Sequence, residues 1–281
     1  VRSLAEYIMR GRFQAYSIAL LGGLVPMFGQ GAIGLVSLRR GWQEGIFVVL
    51  WACLPVLIQF WLNQIGELVT YTTMSIMVVT FLSSLTLRLT MNWPYTLVSL
   101  LVFAVLGSLL IYGSIDGLVG TLQESIDNAF QNTELAGQPV EQLTGAKLTG
   151  MLAFAVSFVS LMGLLLARWL QAILYNPGGF RTEFHTLRLS PPVTAICAIG
   201  LAVSYYVGID YAYWGLLFSL PLFIAGLGVI HNLVDQYKLG YTPLVVMYIS
   251  FIIIAITVVL VVIIGLTDSW MNYRKIFAKK Q

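Results

Sequence analysis

The chain has 281 residues, 58% of them hydrophobic and only 10% charged, with a net charge of +3 and a mean hydropathy of +0.86. That composition excludes a soluble domain, and so small and scattered a charge gives nucleic-acid binding no support. The apolar runs are continuous rather than alternating, which excludes a β-barrel and predicts an all-α, polytopic transmembrane helical bundle.

Residues 1–12 carry three arginines, but no small-residue cleavage site follows, so no cleavable signal is expected. Eight apolar runs then follow, at 15–38, 45–62, 68–87, 94–112, 148–167, 193–207, 211–233 and 244–266. Each is about long enough to cross roughly 30 Å of hydrocarbon at 1.5 Å per residue, so about eight spans are expected. Trp42, Trp61, Trp93, Trp169, Trp214 and Trp270 fall at or beside the proposed ends, where indole favours the interface, and Trp51 falls inside a run. Cys53 and Cys197 lie within runs and read as small hydrophobes, without a disulfide or a metal site.

Gly22-Gly23, Pro26, Gly29, Gln30, Gly31 and Gly34 interrupt the first run. It is read as broken or re-entrant: one kinked span, or two half-length segments of about 12 residues, each rising only about 18 Å. Orientation depends on that choice. One span divides Lys and Arg between the two sides 8 to 7, whereas a hairpin divides them 10 to 5.

An acidic amphipathic loop occupies 114–147. Leu118, Leu122, Ile126 and Phe130 recur every fourth residue, with Glu124 and Asp127 off that stripe, which predicts a short helix lying on the bundle or docking a partner. Gln138-Pro139 reads as a helix restart. Beyond it Gly150, Ala153, Ser157, Ser160, Gly163 and Ala167 align small residues on one helix face, suited to close packing or to another subunit. No repeat is found, and residues 1–281 read as a single integral membrane domain.

The densest polar cluster follows. Arg168, Gln171 and Tyr175 share a helix face, and Asn176-Pro177-Gly178-Gly179 forms a turn with positive φ at its second central residue. Arg181, Glu183, His185 and Arg188 are expected on a short linker closed by Pro191-Pro192. Guanidiniums around a turn suit a phosphate or carboxylate, and equally a basic loop that orients the protein. A second cluster, His231, Asn232 and Asp235, ends the seventh run, where His231 and Asp235 stand at i, i+4. If the loops alternate, both clusters face the same side. Metal-ligand spacing, a Walker loop and a Gly-x-Ser-x-Gly elbow are missing from the sequence, and no acid pair lies deep in one run. Neither catalytic residues nor cofactors are therefore expected.

The string 167–189, with its Tyr175-Asn176-Pro177-Gly178-Gly179-Phe180-Arg181 centre, resembles uncharacterised proteobacterial membrane proteins of the YybS-like family. So do the segments 4–12, 265–268 and 273–275. That family is distantly similar to the substrate-binding S-components of energy-coupling-factor transporters; here the likeness rests on Pro26 followed by Leu38-Arg39-Arg40-Gly41 and Gly45. The resemblance implies a bacterial inner-membrane location and a non-enzymatic, S-component-like binder or transporter of a small solute or lipid-like ligand. Arg168, Gln171, Tyr175, Asn176, Arg181, Glu183, His185 and Arg188 are the candidate contacts, and the lipid bilayer the surrounding partner. The alternative is a membrane scaffold of an envelope or division complex that binds a partner protein through 114–147. A third class, an enzyme acting on a lipid carrier with His185 or His231 as base, has only those two side chains behind it.

Overall fold

The computed structural model describes residues 2–22, 28–131 and 142–277. Pro26, Glu134, the restart at Gln138-Pro139 and Glu141 lie outside the described residues, as does the Phe130 side chain. In chain order the helices are α1 (Arg2–Arg10), α2 (Arg12–Gly22), α3 (Phe28–Arg40), α4 (Trp42–Trp61), α5 (Glu67–Thr90), α6 (Trp93–Ser114), α7 (Leu118–Gln131) and α8 (Gly145–Tyr175). They continue with α9 (Gly179–Thr186), α10 (Pro191–Val207), a 3-10 turn at Ile209–Tyr211, α11 (Ala212–Gln236), α12 (Thr242–Ile253), α13 (Ile256–Met271) and α14 (Tyr273–Ile276). No strand occurs among the described residues.

Among the described residues five helices are long and apolar enough to cross a membrane: α4, α5, α6, α8, and α11 with its leading 3-10 turn. A sixth is counted if α9 and α10, which meet at 68°, are taken together. The expected eight therefore becomes five or six. The run 244–266 is one reason. It breaks at Ile254, whose backbone is extended (φ −128°, ψ 90°), into α12 and α13, neither of full length. No Gly or Pro marks that break in the sequence.

The first run contributes two helices, α2 and α3, joined through residues outside the described set. α2 and α3 pack side by side, and Arg12 at the start of α2 pairs with Glu44, just after α3 ends. The Arg40 guanidinium donates to the Met9 carbonyl at 2.8 Å, so the chain enters and leaves this pair of helices at one end of the bundle. Every residue of α3 from Gly29 to Leu38 is buried, against α8, α5, α4 and α2. Such contact demands small side chains. A Cβ on Gly34 would stand 2.5 Å from that of Ala167, and a Cβ on Gly163 2.5 Å from that of Gln30. The small-residue face of α8 is thus spent on the protein's own helices, Gly163 and Ala167 on α3 and Gly150 on Trp214 of α11, as close helix approach in lipid requires. The hydroxyls between these helices mostly donate along their own helix, Ser37 to Ile33, Thr80 to Ile76 and Ser84 to Thr80, while Ser160 crosses from α8 to the Ile76 carbonyl at 3.2 Å.

The second tight crossing joins α11 to α13. A Cβ on Gly265 would collide with the Leu222 carbonyl oxygen, and one on Gly226 with that of Val261. By contrast, α12 buries only Met247 and leaves Val245, Val246, Ile249, Ile252 and Ile253 exposed.

α7 covers one end of the bundle. Its Leu118 and Leu122 pack with Ile111, Leu148 and Leu152, so this half of the acidic segment's apolar stripe lies on the protein's own helices. That end holds Glu67, Asp116, Glu124, Asp127 and Asp210. Cross-links between helix ends define the opposite one. Arg88 donates to the Leu38 carbonyl at 3.0 Å, Arg39 lies 4.2 Å from the Tyr175 ring centroid, and Arg181 pairs with Asp235. Among the described Lys and Arg from residue 10 onward, Lys147 alone sits at the α7 end.

Candidate functional site

The 168–188 segment folds at the basic end, in three pieces. α8 runs on past the expected span to Tyr175. Its stop is the predicted turn: Gly179 N–H donates to the Asn176 carbonyl at 2.8 Å, and Gly178 has φ +86°, ψ −17°, a position that favours glycine. Residues 179–186, expected as linker, are instead the helix α9, and the Pro191-Pro192 pair opens α10.

Arg168, Gln171 and Glu183 form one closed unit. Arg168 Nε donates to Glu183 Oε2 at 2.9 Å, its Nη2 to Glu183 Oε1 and its Nη1 to Gln171 Oε1. Trp93 Nε1 adds a donation to Glu183 at 3.4 Å. With the Arg168 side chain only 14% exposed, this bidentate pair staples α9 to α8. Tyr175 is likewise engaged, beneath Arg39.

Arg188 faces another way, donating to the carbonyls of Asp268 at 3.0 Å and Ser269 at 2.7 Å. Asp268, 1% exposed, also accepts from Arg274, which in turn donates to the His185 and Leu187 carbonyls, each at 2.6 Å. This clasp holds α14 and the end of α13 against the α9–α10 corner.

The remaining candidates converge. Arg181 pairs with Asp235, and His185 Nδ1 lies 3.6 Å from the same carboxylate. The two imidazoles stand 6.4 Å apart between centroids. The expected His231–Asp235 contact along α11 is not made. His231 Nε2 instead meets the Tyr248 hydroxyl at 2.9 Å, reaching across to α12. Burial pushes the His185 pKa below its ordinary value; Asp235 opposes this, while Arg181 and Arg274 add to it. The imidazole is therefore mostly neutral at pH 7.

Two spaces meet at these side chains. One is a cavity of about 790 Å³ between α8, α11 and α12, walled by Phe154, Phe158, Met162, Leu165, Leu216, Leu220, Phe223, Leu227 and Phe251, and closed at the basic end by Phe180, Phe184, Arg181, His185, His231 and Tyr248. Its size is near the upper part of the range for small-molecule sites, about 300–1,000 Å³. Phe158, Leu216 and Tyr248 are exposed, so the cavity opens through the side of the bundle. The other is a polar vestibule of about 740 Å³ under α9, lined by Asn176, Gly178, Thr182, Glu183, Thr186, Asn232 and Asp235, and again by Arg181 and His185. Arg181 and His185 thus belong to both.

Sequence reasoning missed the apolar half of this site. A signal was present in the aromatic pairs Phe154/Phe158 and Phe180/Phe184, each at i, i+4 and stacked at about 6 Å. In a chain of mostly hydrocarbon, however, cavity-lining and lipid-facing aromatics look alike.

No protein-family model matches the chain, and no curated protein or solved structure is significantly similar to it.

Proposed function

We propose that this protein is a non-enzymatic membrane binder or carrier that takes a long-chain amphiphile from the bilayer, with the chain in the lateral cavity and the head in the vestibule under α9. The observation that carries this reading is the continuity at Arg181 and His185 of an apolar, sideways-opening cavity with a polar space at the membrane face. A small polar solute would find few partners along the cavity wall, so of the two ligand types expected from the sequence the lipid-like one has the better support. The scaffold alternative has less, because Leu118 and Leu122 of α7 already pack on the protein's own helices.

Ser219 lines the cavity. Ser219→Trp fills it, and the amphiphile co-purifying in mild detergent, read by native mass spectrometry, is expected to fall about tenfold, a loss of roughly 1.4 kcal/mol. An unchanged load in a folded variant sinks the reading.

The topology that goes with this proposal has six crossings, α4, α5, α6, α8, α10 and α11, with α2–α3 and α12–α13 as half-length hairpins that enter from the basic end. Irregular backbone at such depth is tolerated where protein surrounds it; α3 is so surrounded, whereas the Ile254 break of α12–α13 is exposed. The resulting charge bias is far steeper than either division read from the sequence, and by the positive-inside rule it supports a cytoplasmic basic end, in the bacterial inner membrane that the family resemblance implies. Six is also the helix number typical of S-components, and kinship with them and with the YybS-like family is part of the proposal. Cysteines placed at Glu124 and Lys275, both exposed, are expected to label from opposite sides of intact vesicles; labelling from one side rules this topology out.

A further inference from the structure

The mouth of the cavity carries an ion pair, and its two charges are ordered. A molecule whose chain lies in the cavity meets Arg181 first, because Arg181 lines both spaces; Asp235 and Asn232 line only the vestibule beyond. Cation then anion, moving away from the chain, complements a headgroup whose phosphate adjoins the chain and whose amine is outermost. From this juxtaposition we infer that the amphiphile is a zwitterionic phospholipid bearing a primary ammonium, with its phosphate on Arg181 and its ammonium on Asp235 and Asn232. The inference rests on the amphiphile reading above and names its ligand class.

The internal pair gives way readily. Arg181 and Asp235 are 66% and 46% exposed in their side chains, and such pairs hold weakly. A zwitterion offers each partner a new charge-assisted bond, so no charge is left alone. Glu183, the other carboxylate in the vestibule, is committed to Arg168, which leaves Asp235 as the acid facing the ammonium. A second observation selects the kind of amine. Asn232 Oδ1 is buried and meets no hydrogen-bond donor among the described residues. It calls for an N–H. A primary ammonium carries three, a quaternary one none, and a glycerol headgroup supplies no cation for Asp235.

The test is native mass spectrometry of the whole protein in mild detergent, offered equal amounts of phosphatidylethanolamine, phosphatidylcholine and phosphatidylglycerol with the same dioleoyl chains. The expected result is that phosphatidylethanolamine is retained about tenfold over either competitor, the worth of one charge-assisted hydrogen bond. The double variant Arg181→Asp/Asp235→Arg keeps an ion pair but reverses its order. It is expected to melt like the parent and to lose that preference. Equal or tighter binding of phosphatidylcholine or phosphatidylglycerol by the parent overturns the headgroup assignment, as does a preference that survives the swap; both leave the cavity reading standing. Retention of no phospholipid by the parent brings down the cavity reading itself.

Discussion

Replacing Asp268 with asparagine is expected to destabilise the protein by about 3–5 kcal/mol, the cost of leaving one member of a buried ion pair without its counter-charge. Asp268 is 1% exposed and Arg274 11%. Burial already lowers the Arg274 pKa, and the carboxylate is what opposes that shift. The amide would still accept the Tyr273 N–H now held at 2.9 Å by Oδ1, but its NH2 group would replace the oxygen that accepts from Arg274, so the charge and that hydrogen bond are lost together. At roughly 2–4 °C per kcal/mol for a chain of this size, the melting temperature should fall by about 6–20 °C. The pair between Arg12, 71% exposed, and the half-buried Glu44 is the comparison: Arg12→Ala should move the melting curve much less. Equal effects from the two variants would mean that the Asp268 clasp does not bear on the fold.

Arg168→Ala and Arg181→Ala should separate, although both belong to one polar cluster in the sequence. Arg168 is buried in bidentate contact with Glu183, and its removal leaves that carboxylate, 30% exposed, with the long Trp93 contact, and Gln171 Oε1 without the guanidinium it accepts from. A cost of about 2 kcal/mol or more is expected, seen as a lower melting temperature and freer proteolysis at the 176–179 turn. Arg181→Ala should melt within about 0.5 kcal/mol of the parent, because its pair is exposed, and should instead weaken retention of the amphiphile. A destabilised Arg181→Ala, or an Arg168→Ala that is stable but empty, would exchange the roles assigned to the two residues.

These contrasts mark where the sequence stops being legible. Helical membrane character followed from composition, because long apolar runs announce themselves locally. The 176–179 turn was equally local, and its φ and its hydrogen bond came out as its residue types require. Pairings between distant residues were not legible. Nothing near Arg168 shows that Glu183 rather than a ligand will take its guanidinium, and nothing near Asp235 shows that Arg181, 54 residues away, will outcompete His231. The cavity was hidden for a different reason. In lipid an apolar side chain gains little by facing protein instead of hydrocarbon, so hydropathy carries no record of which aromatics line an interior space. The break at Ile254 left no mark either, since a run of β-branched residues reads the same whether or not a helix continues through it.

The burial of α3 has a consequence for how the protein is made. Thirteen residues rich in glycine, with a glutamine near one end and two arginines at the other, cannot settle in a bilayer by their own hydrophobicity. The partners that accept them, Gly163, Leu166 and Ala167 on α8, are synthesised more than 120 residues later. Contacts so far apart in sequence close slowly. In the proposed topology the α2–α3 segment therefore reaches its buried place only after α8 has inserted, so that a segment among the earlier to leave the ribosome is among the last to reach its native position.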